Sequence, residues 1–217
     1  YEISKKLGID KIAEVAKDFG LGQSYDISMP NQKTGIVPNK KWKKEKIGES
    51  WYAGETLISA IGQGFVLTNP FQLVVMTSII ASDGKMIEPT IIKGNRVNFK
   101  TNEKYFKEIK IIKKAMFKVV NENKGTAFKS RLEDIKFAGK TGTSQVRRIS
   151  LSERESDDFR EKEQEWKNRD HALFVGYMPY DDPKYSISVI IEHGGSGAST
   201  AAPIAKQIFN YINKLEV

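Results

Sequence analysis

Apolar positions along the 217 residues follow two rhythms. In the first part they recur every three or four residues, the mark of a helix face. Ile3 and Leu7 share one face and Gly8 stops it. Ile12, Ala13, Val15, Ala16 and Phe19 form the next stripe, with Asp10 the expected cap and Gly20 and Gly22 the stop. Residues 26–50 carry Pro30, Gly35, Pro38 and Gly48 with little period, so a long surface connection is expected. Its lysine-rich run, Lys40-Lys-Trp-Lys-Lys-Glu-Lys46, places Trp42 as a pin between loop and body, in preference to a platform for a nucleobase. Gly62 and Gly64 around Gln63 predict a tight turn. Thr68-Asn69-Pro70 starts a helix, and residues 71–82 are apolar nearly all round, so that helix is expected to be buried, with Asp83-Gly84 closing it. Residues 86–97 read as extended. Asn102 opens a further helix whose inner stripe is Phe106, Ile109, Ile112, Ala115, Met116, Val119 and Val120, ending near Asn123-Lys-Gly125.

The rhythm then changes to strands. Phe137-Ala-Gly-Lys-Thr-Gly-Thr-Ser-Gln-Val146 is one expected strand; residues 171–178 and 185–192 are two more, joined by Pro179-Tyr-Asp-Asp-Pro183. Residues 147–170 are dense in both charge signs and predict an exposed excursion. After His193-Gly-Gly-Ser-Gly197, Ser199 or Thr200 is the expected cap of a last helix carrying Ile204, Ile208, Phe209 and Ile212 inward. Three neighbouring strands with flanking helices and no β-α-β alternation predict an α+β fold, an antiparallel sheet flanked by helices.

Composition narrows this only a little. With 39% hydrophobic and 29% charged residues the chain is a folding sequence and not a disordered one. Its net charge of +8 admits nucleic acid, an anionic membrane surface or an anionic polymer as partner, but the lysines are spread along the chain, which fits a solvated surface. The absence of cysteine excludes disulfides and thiolate metal sites. No apolar run approaches the ~20 residues that cross a bilayer, and no secretory signal is present. The chain opens at Tyr1 inside a helical pattern, without an initiator Met, so a piece of a longer protein is expected, with any anchor upstream.

The candidate chemistry lies in the first strand. Gly139 and Gly142 leave its backbone bare, so that a substrate can lie against it. Lys140 beside the hydroxyls of Thr141, Thr143 and Ser144 suits a carboxylate or a developing oxyanion. The triplet Lys-Thr-Gly alone decides nothing, because Lys33-Thr34-Gly35 repeats it in the long connection, where it reads as an ordinary turn. A nucleophile is harder to place. The one Ser-x-x-Lys, Ser82-Asp-Gly-Lys85, falls at a helix end with Gly84 breaking the turn, whereas serine activation needs a lysine stacked one helical turn on. There is no Ser-x-Asn. His171 and His193 lack partners at ligand spacing, so no metal is expected. His193, Asp170 and Ser196 make a triad on paper only. The glycine-rich 194–200 loop lacks the lysine of a nucleotide loop.

Ile61-Gly-Gln-Gly-Phe-Val-Leu-Thr-Asn-Pro-Phe-Gln-Leu73, the Lys140-Thr-Gly-Thr143 strand, Arg169-Asp-His-Ala-Leu-Phe174 and Glu192-His-Gly-Gly-Ser-Gly197, in that order, resemble the C-terminal part of the transpeptidase domain of class B penicillin-binding proteins. Within the class the likeness is to the elongation-type enzymes of Gram-negative bacteria, and it covers essentially residues 1–217. The resemblance implies a peptidoglycan D,D-transpeptidase that works through a serine acyl-enzyme and binds β-lactams. It implies that Lys140 supplies positive charge, that Thr141, Gly142, Thr143 and Ser144 bind substrate or β-lactam, and that the Thr143 backbone N–H is an oxyanion donor. Gly62, Gln63 and Gly64 would support the cleft. No cofactor is implied. Partners by resemblance are peptidoglycan stem peptides, a SEDS-type glycosyltransferase and elongation scaffold proteins, at the periplasmic face of the inner membrane. The nucleophile and the Ser-x-Asn residues would precede Tyr1, so the fragment alone is expected to be inactive. A serine β-lactamase or β-lactam sensor shares the Lys-Thr-Gly strand, and a non-catalytic basic binding module is the remaining alternative.

Overall fold

The computed structural model describes residues 1–93, 99–101, 103–146 and 165–215. Parts of the expected 86–97 and 147–170 segments, and Asn102, lie outside them. The chain divides into two units, Tyr1–Ile79 with Lys85–Asn102, and Ile80–Gly84 with Glu103–Val217.

The first unit begins with α1, Glu2–Leu7, and α2, Ile9–Asp18. Gly8, at φ 76°, makes the corner between them. Asp10 therefore sits inside the first turn of α2 and is not its cap. Its carboxylate accepts the Lys40 N–H at 3.2 Å and lies 3.5 Å from Lys40 Nζ. The expected structureless connection contains a helix, α3, Lys40–Ile47. Asn39 caps it by accepting the Trp42 N–H at 2.7 Å, and Gly48 ends it in the left-handed region at φ 84°. Trp42 packs on Phe65 with 5.4 Å between ring centroids. Lys43, 2% exposed, turns inward from α3 to the carboxylates of Glu55 and Glu49, its ammonium 4.5 Å from the centre of the Tyr52 ring. Glu55 lies in α4, Ala53–Ser59, and also accepts the Tyr52 N–H at 2.8 Å. Desolvation raises the Glu55 carboxyl, but the hydrogen bonds from Lys43 and Tyr52 and the ammonium charge outweigh it and hold the group below its ordinary range.

Pro70–Ala81 forms α5, with Asn69 capping it through the Gln72 N–H at 2.9 Å. Buried Gln72 reaches back to the carbonyls of Gln23 and Thr34 at 2.7 and 2.8 Å and ties down the preceding connection. Extended structure after α5 is shorter than the sequence suggests: β1, Lys85–Ile87, pairs with β2, Phe99–Thr101.

In the second unit, α6 spans Phe106–Asn121. Its buried row is Ile109, Met116 and Val120, while Phe106, Ile112 and Ala115 are exposed, contrary to the expected stripe. Lys113 completes that row. Its stem lies along the inner face while Nζ donates to the Ala81 carbonyl at 2.9 Å and to Asp83 at 2.8 Å, a use of lysine that a hydropathy pattern does not register. The sheet follows: β3, Ala138–Ser144, β4, His171–Met178, and β5, Tyr185–Ile191, antiparallel in that order, with the expected 179–183 connection making the hairpin. A π-helical turn, Gly197–Ala201, leads into α7, Ala202–Leu215. Ser196, not Ser199 or Thr200, caps this turn, accepting the Ala198 N–H at 3.3 Å; the extra turn moves the start upstream. Thr200 instead donates to the Gly194 carbonyl at 2.8 Å. Phe174, Ala172 and Val189 of the sheet pack against Ala201, Ala202, Ala205 and Phe209, with Phe137 between. Ile208 is exposed at 40%, so only Ile204, Phe209 and Ile212 of the expected inner residues face that core.

Candidate active site

Lys140, Thr141, Gly142, Thr143 and Ser144 all lie on β3, an edge strand of its sheet among the described residues. Register fixes where each one points. Thr141 pairs with Phe174 and Thr143 with Ala172, so both hydroxyls stand on the face that carries the α7 core. Lys140 pairs with Val175 and Ser144 with His171 on the opposite face. Lys140 and Thr143 are exposed, and Thr141, Gly142 and Ser144 are half-buried.

The backbone has a sidedness of its own. The Phe137 carbonyl accepts from Asn121 Nδ2 at 2.9 Å, and the Thr141 carbonyl accepts from Lys140 Nζ at 2.7 Å. Both carbonyls therefore point away from β4. With a period of two, the N–H and C=O groups of Gly139, Thr141 and Thr143 face the same open edge. The Lys140 ammonium, held on the Thr141 carbonyl, and the Thr143 amide lie along that edge, with the Thr141 and Thr143 hydroxyls on the adjoining face, an arrangement suited to an extended chain ending in a carboxylate.

Close packing keeps the edge in place. A Cβ at Gly139 would overlap the Phe174 ring, and one at Gly197 would overlap the Gly142 and Leu173 carbonyls, so the α7 entry turn lies directly on the strand. Thr126, in the turn after α6, places its hydroxyl 2.8 Å from that of Thr141. Sequence reading does not single out Thr126, and it marks Gly197 only as the end of the Glu192–Gly197 run, not as a residue packed on the strand. The only local trace of Thr126 is a small polar residue between Gly125 and Ala127 at a helix end, a common pattern.

At the far end of the strand, His171 Nδ1 accepts the His193 N–H at 2.9 Å, His193 Nδ1 lies 3.0 Å from the Arg169 carbonyl, and Trp166 packs on His193 with 4.3 Å between centroids. His193 Nδ1, the nitrogen an orienting carboxylate would take, faces the Arg169 carbonyl instead, and Ser196 Oγ accepts the Ala198 N–H, so the geometry is not that of a Ser196–His193–Asp170 relay. No cluster of three or more metal-ligating side chains exists among the described residues. Ser82 follows the end of α5, with Asp83 at φ 57° and Gly84 at φ 89° behind it, so Lys85 is not stacked over it on a helix. Lys33-Thr34-Gly35, expected as an ordinary turn, runs as irregular chain, Gly35 at φ 65°, into the isolated Ile36–Leu67 bridge. Gly62 and Gly64, at φ 75° and 71°, make the predicted turn around Gln63 within the first unit. No helix of the described residues is long and apolar enough to cross a membrane.

Residues 1–210 match the family model described as the penicillin binding protein transpeptidase domain. The chain is 32% identical over 97% of its length to the peptidoglycan D,D-transpeptidase MrdA of Haemophilus influenzae. It spans 34% of that relative, about a third. Its fold is similar to PBP2 in the complex with MreC from Helicobacter pylori, at 32% identity and TM-score 0.86, covering 99% of this chain and 38% of that one. It is also similar to a chain of a peptidoglycan synthase complex described for its structural coordination of polymerization and crosslinking, at 30% identity and TM-score 0.71, covering 91% and 32%.

Proposed function

This chain belongs to the penicillin-binding protein transpeptidase family, and from that membership we propose that it is the C-terminal part of a peptidoglycan D,D-transpeptidase of cell-wall elongation, acting on stem peptides and acylated by β-lactams. A serine outside these 217 residues attacks the carbonyl of a terminal D-Ala-D-Ala bond. The carbonyl π electrons move onto oxygen, D-Ala leaves as the amine after gaining a proton, and an amine of a neighbouring stem peptide displaces the serine. Lys140 contributes its charge to the substrate and to the proton relay. The Thr141 and Thr143 hydroxyls bind the terminal carboxylate, with Ser144 beside them. The Thr143 N–H and the nucleophile's own N–H stabilise the oxyanion. Gly142 lets the acyl chain lie against the strand. Gly62, Gln63 and Gly64 take a supporting role.

The observation that carries this reading is the open edge of β3, along which the Lys140 ammonium and the Thr143 amide lie with the Thr141 and Thr143 hydroxyls on the adjoining face. The relatives extend it to partners. One PBP2 structure contains MreC and another likeness is to a peptidoglycan synthase complex described for polymerization and crosslinking, which supports a scaffold protein and a glycosyltransferase as partners; the SEDS type and a place at the periplasmic face of the inner membrane belong to the same proposal.

Fluorescent penicillin tests the assignment. The full-length protein should take up one covalent label and keep it for minutes or longer, and Lys140→Ala should slow labelling roughly 10²-fold. The 217-residue chain alone should stay unlabelled. Absence of label on the full-length protein overturns the reading, and rapid loss of label makes it a β-lactamase.

A further inference from the structure

The hydroxyls of Thr126 and Thr141 are 2.8 Å apart, and geometry leaves open which one donates. Building on the function proposed above, we propose that Thr126 is a positioning residue that aims the Thr141 proton at the terminal carboxylate of a stem peptide or β-lactam. Proton counting sets the direction. Each threonine hydroxyl has one proton and two acceptor lone pairs, and an ionised carboxylate only accepts. Once a carboxylate sits at Thr141, the single Thr141 proton belongs to it. The 2.8 Å contact then has one polarity left: Thr126 donates and Thr141 accepts. The chain Thr126 to Thr141 to carboxylate is a relay in which each hydrogen bond polarises the next. The accepting bond also removes rotor freedom from the Thr141 hydroxyl, so less is lost when the ligand arrives.

The turn is built to hold Thr126 at this spot. The Gly125 N–H donates to the Glu122 carbonyl at 2.8 Å, and the Ala127 N–H donates to the Val119 carbonyl at 3.0 Å. A Cβ at Gly125 would overlap the Val119 carbonyl, and Ala127 is 1% exposed. Both neighbours are thus locked while Thr126 itself is exposed. Among the described residues Thr141 is its only side-chain hydrogen-bond partner. Packing does not account for a threonine there; its contact with the strand does.

The test compares acylation of the full-length protein by benzylpenicillin and by its methyl ester, in which the carboxylate is masked. Thr126→Val should slow acylation by benzylpenicillin roughly three- to ten-fold and leave the slower ester reaction within about two-fold. Thr126→Ser, which keeps the hydroxyl, should restore benzylpenicillin to within about two-fold of the starting protein. Thr126→Ala repeats the comparison should the valine variant melt early. An unchanged benzylpenicillin rate, an equal slowing of both compounds, or no rescue by serine overturns the proposal. If the unsubstituted protein reacts with neither compound, the transpeptidase reading itself falls, and this inference with it.

Discussion

Single residues carry most of the candidate site. Gly197 is the sharpest case. Its α-carbon rests on the carbonyls of Gly142 and Leu173, so Gly197→Ala forces a methyl group into backbone that has no room to give. We expect that substitution to destabilise the protein by about 1–3 kcal/mol, read from the urea midpoint at constant slope. An unchanged midpoint would show that the turn can lift off the strand. Lys140, Thr141, Gly142 and Thr143 were legible in sequence because they are contiguous and chemically distinctive. Gly197 and Thr126 were not, since they meet the strand from positions 55 and 15 residues away from their contacts at Gly142 and Thr141. No local pattern distinguishes Thr126 from other turn residues, and the run that ends at Gly197 does not say what that glycine packs against.

At the scale of elements, strong signals were read at the right place and composition misled once. The helix over residues 71–82, the turn around Gln63 and the hairpin between β4 and β5 all have punctuation that belongs to one structure: Asn-Pro, Gly-x-Gly and paired prolines. α3 also has its signals, Asn39 and Gly48, but a lysine-rich interior hid them. What stabilises α3 is the inward Lys43, which has no hydropathy signature. That pair gives a pH prediction. The Glu55 carboxyl is lowered in the fold, so its contribution is present above the ordinary carboxylate range and lost as pH falls through the lowered value. Lys43 is opposed by desolvation but raised on balance by its hydrogen bonds and ion pairs with Glu55 and Glu49, so its contribution is present below the ordinary lysine range and lost as pH rises through the raised value. The Tm of the starting protein should therefore exceed that of Glu55→Gln by a steady margin from about pH 5 to about pH 10, and the margin should close below about pH 4. Parallel curves down to strongly acid pH would rule this linkage out.

For the molecule as a whole, charge and strand order have different standing. The net charge of +8 comes mostly from lysines spread through both units, and the one basic row among the described helices, Lys107, Lys110, Lys114 and Lys118 on the exposed face of α6, is a single turn-by-turn line of four. Affinity for duplex DNA at about 150 mM salt should stay at the non-specific level, weaker than roughly 10⁻⁶ M, in a filter-binding or anisotropy titration. A tighter complex with a steep salt slope would favour the basic-module alternative. The sequence by itself determined the α+β class, the places of the three strands and the chemical character of residues 140–144, because periodicity, turn residues and contiguous motifs are local and survive without a fold. The tertiary structure alone decided that this strand sits at an edge with its odd-numbered amides turned outward, that a lysine completes the buried row of α6, and that two distant turns clamp the strand from the side. Those facts depend on which backbone groups find partners across the chain, and hydrogen-bond pairing of that kind leaves no trace in the order of side chains.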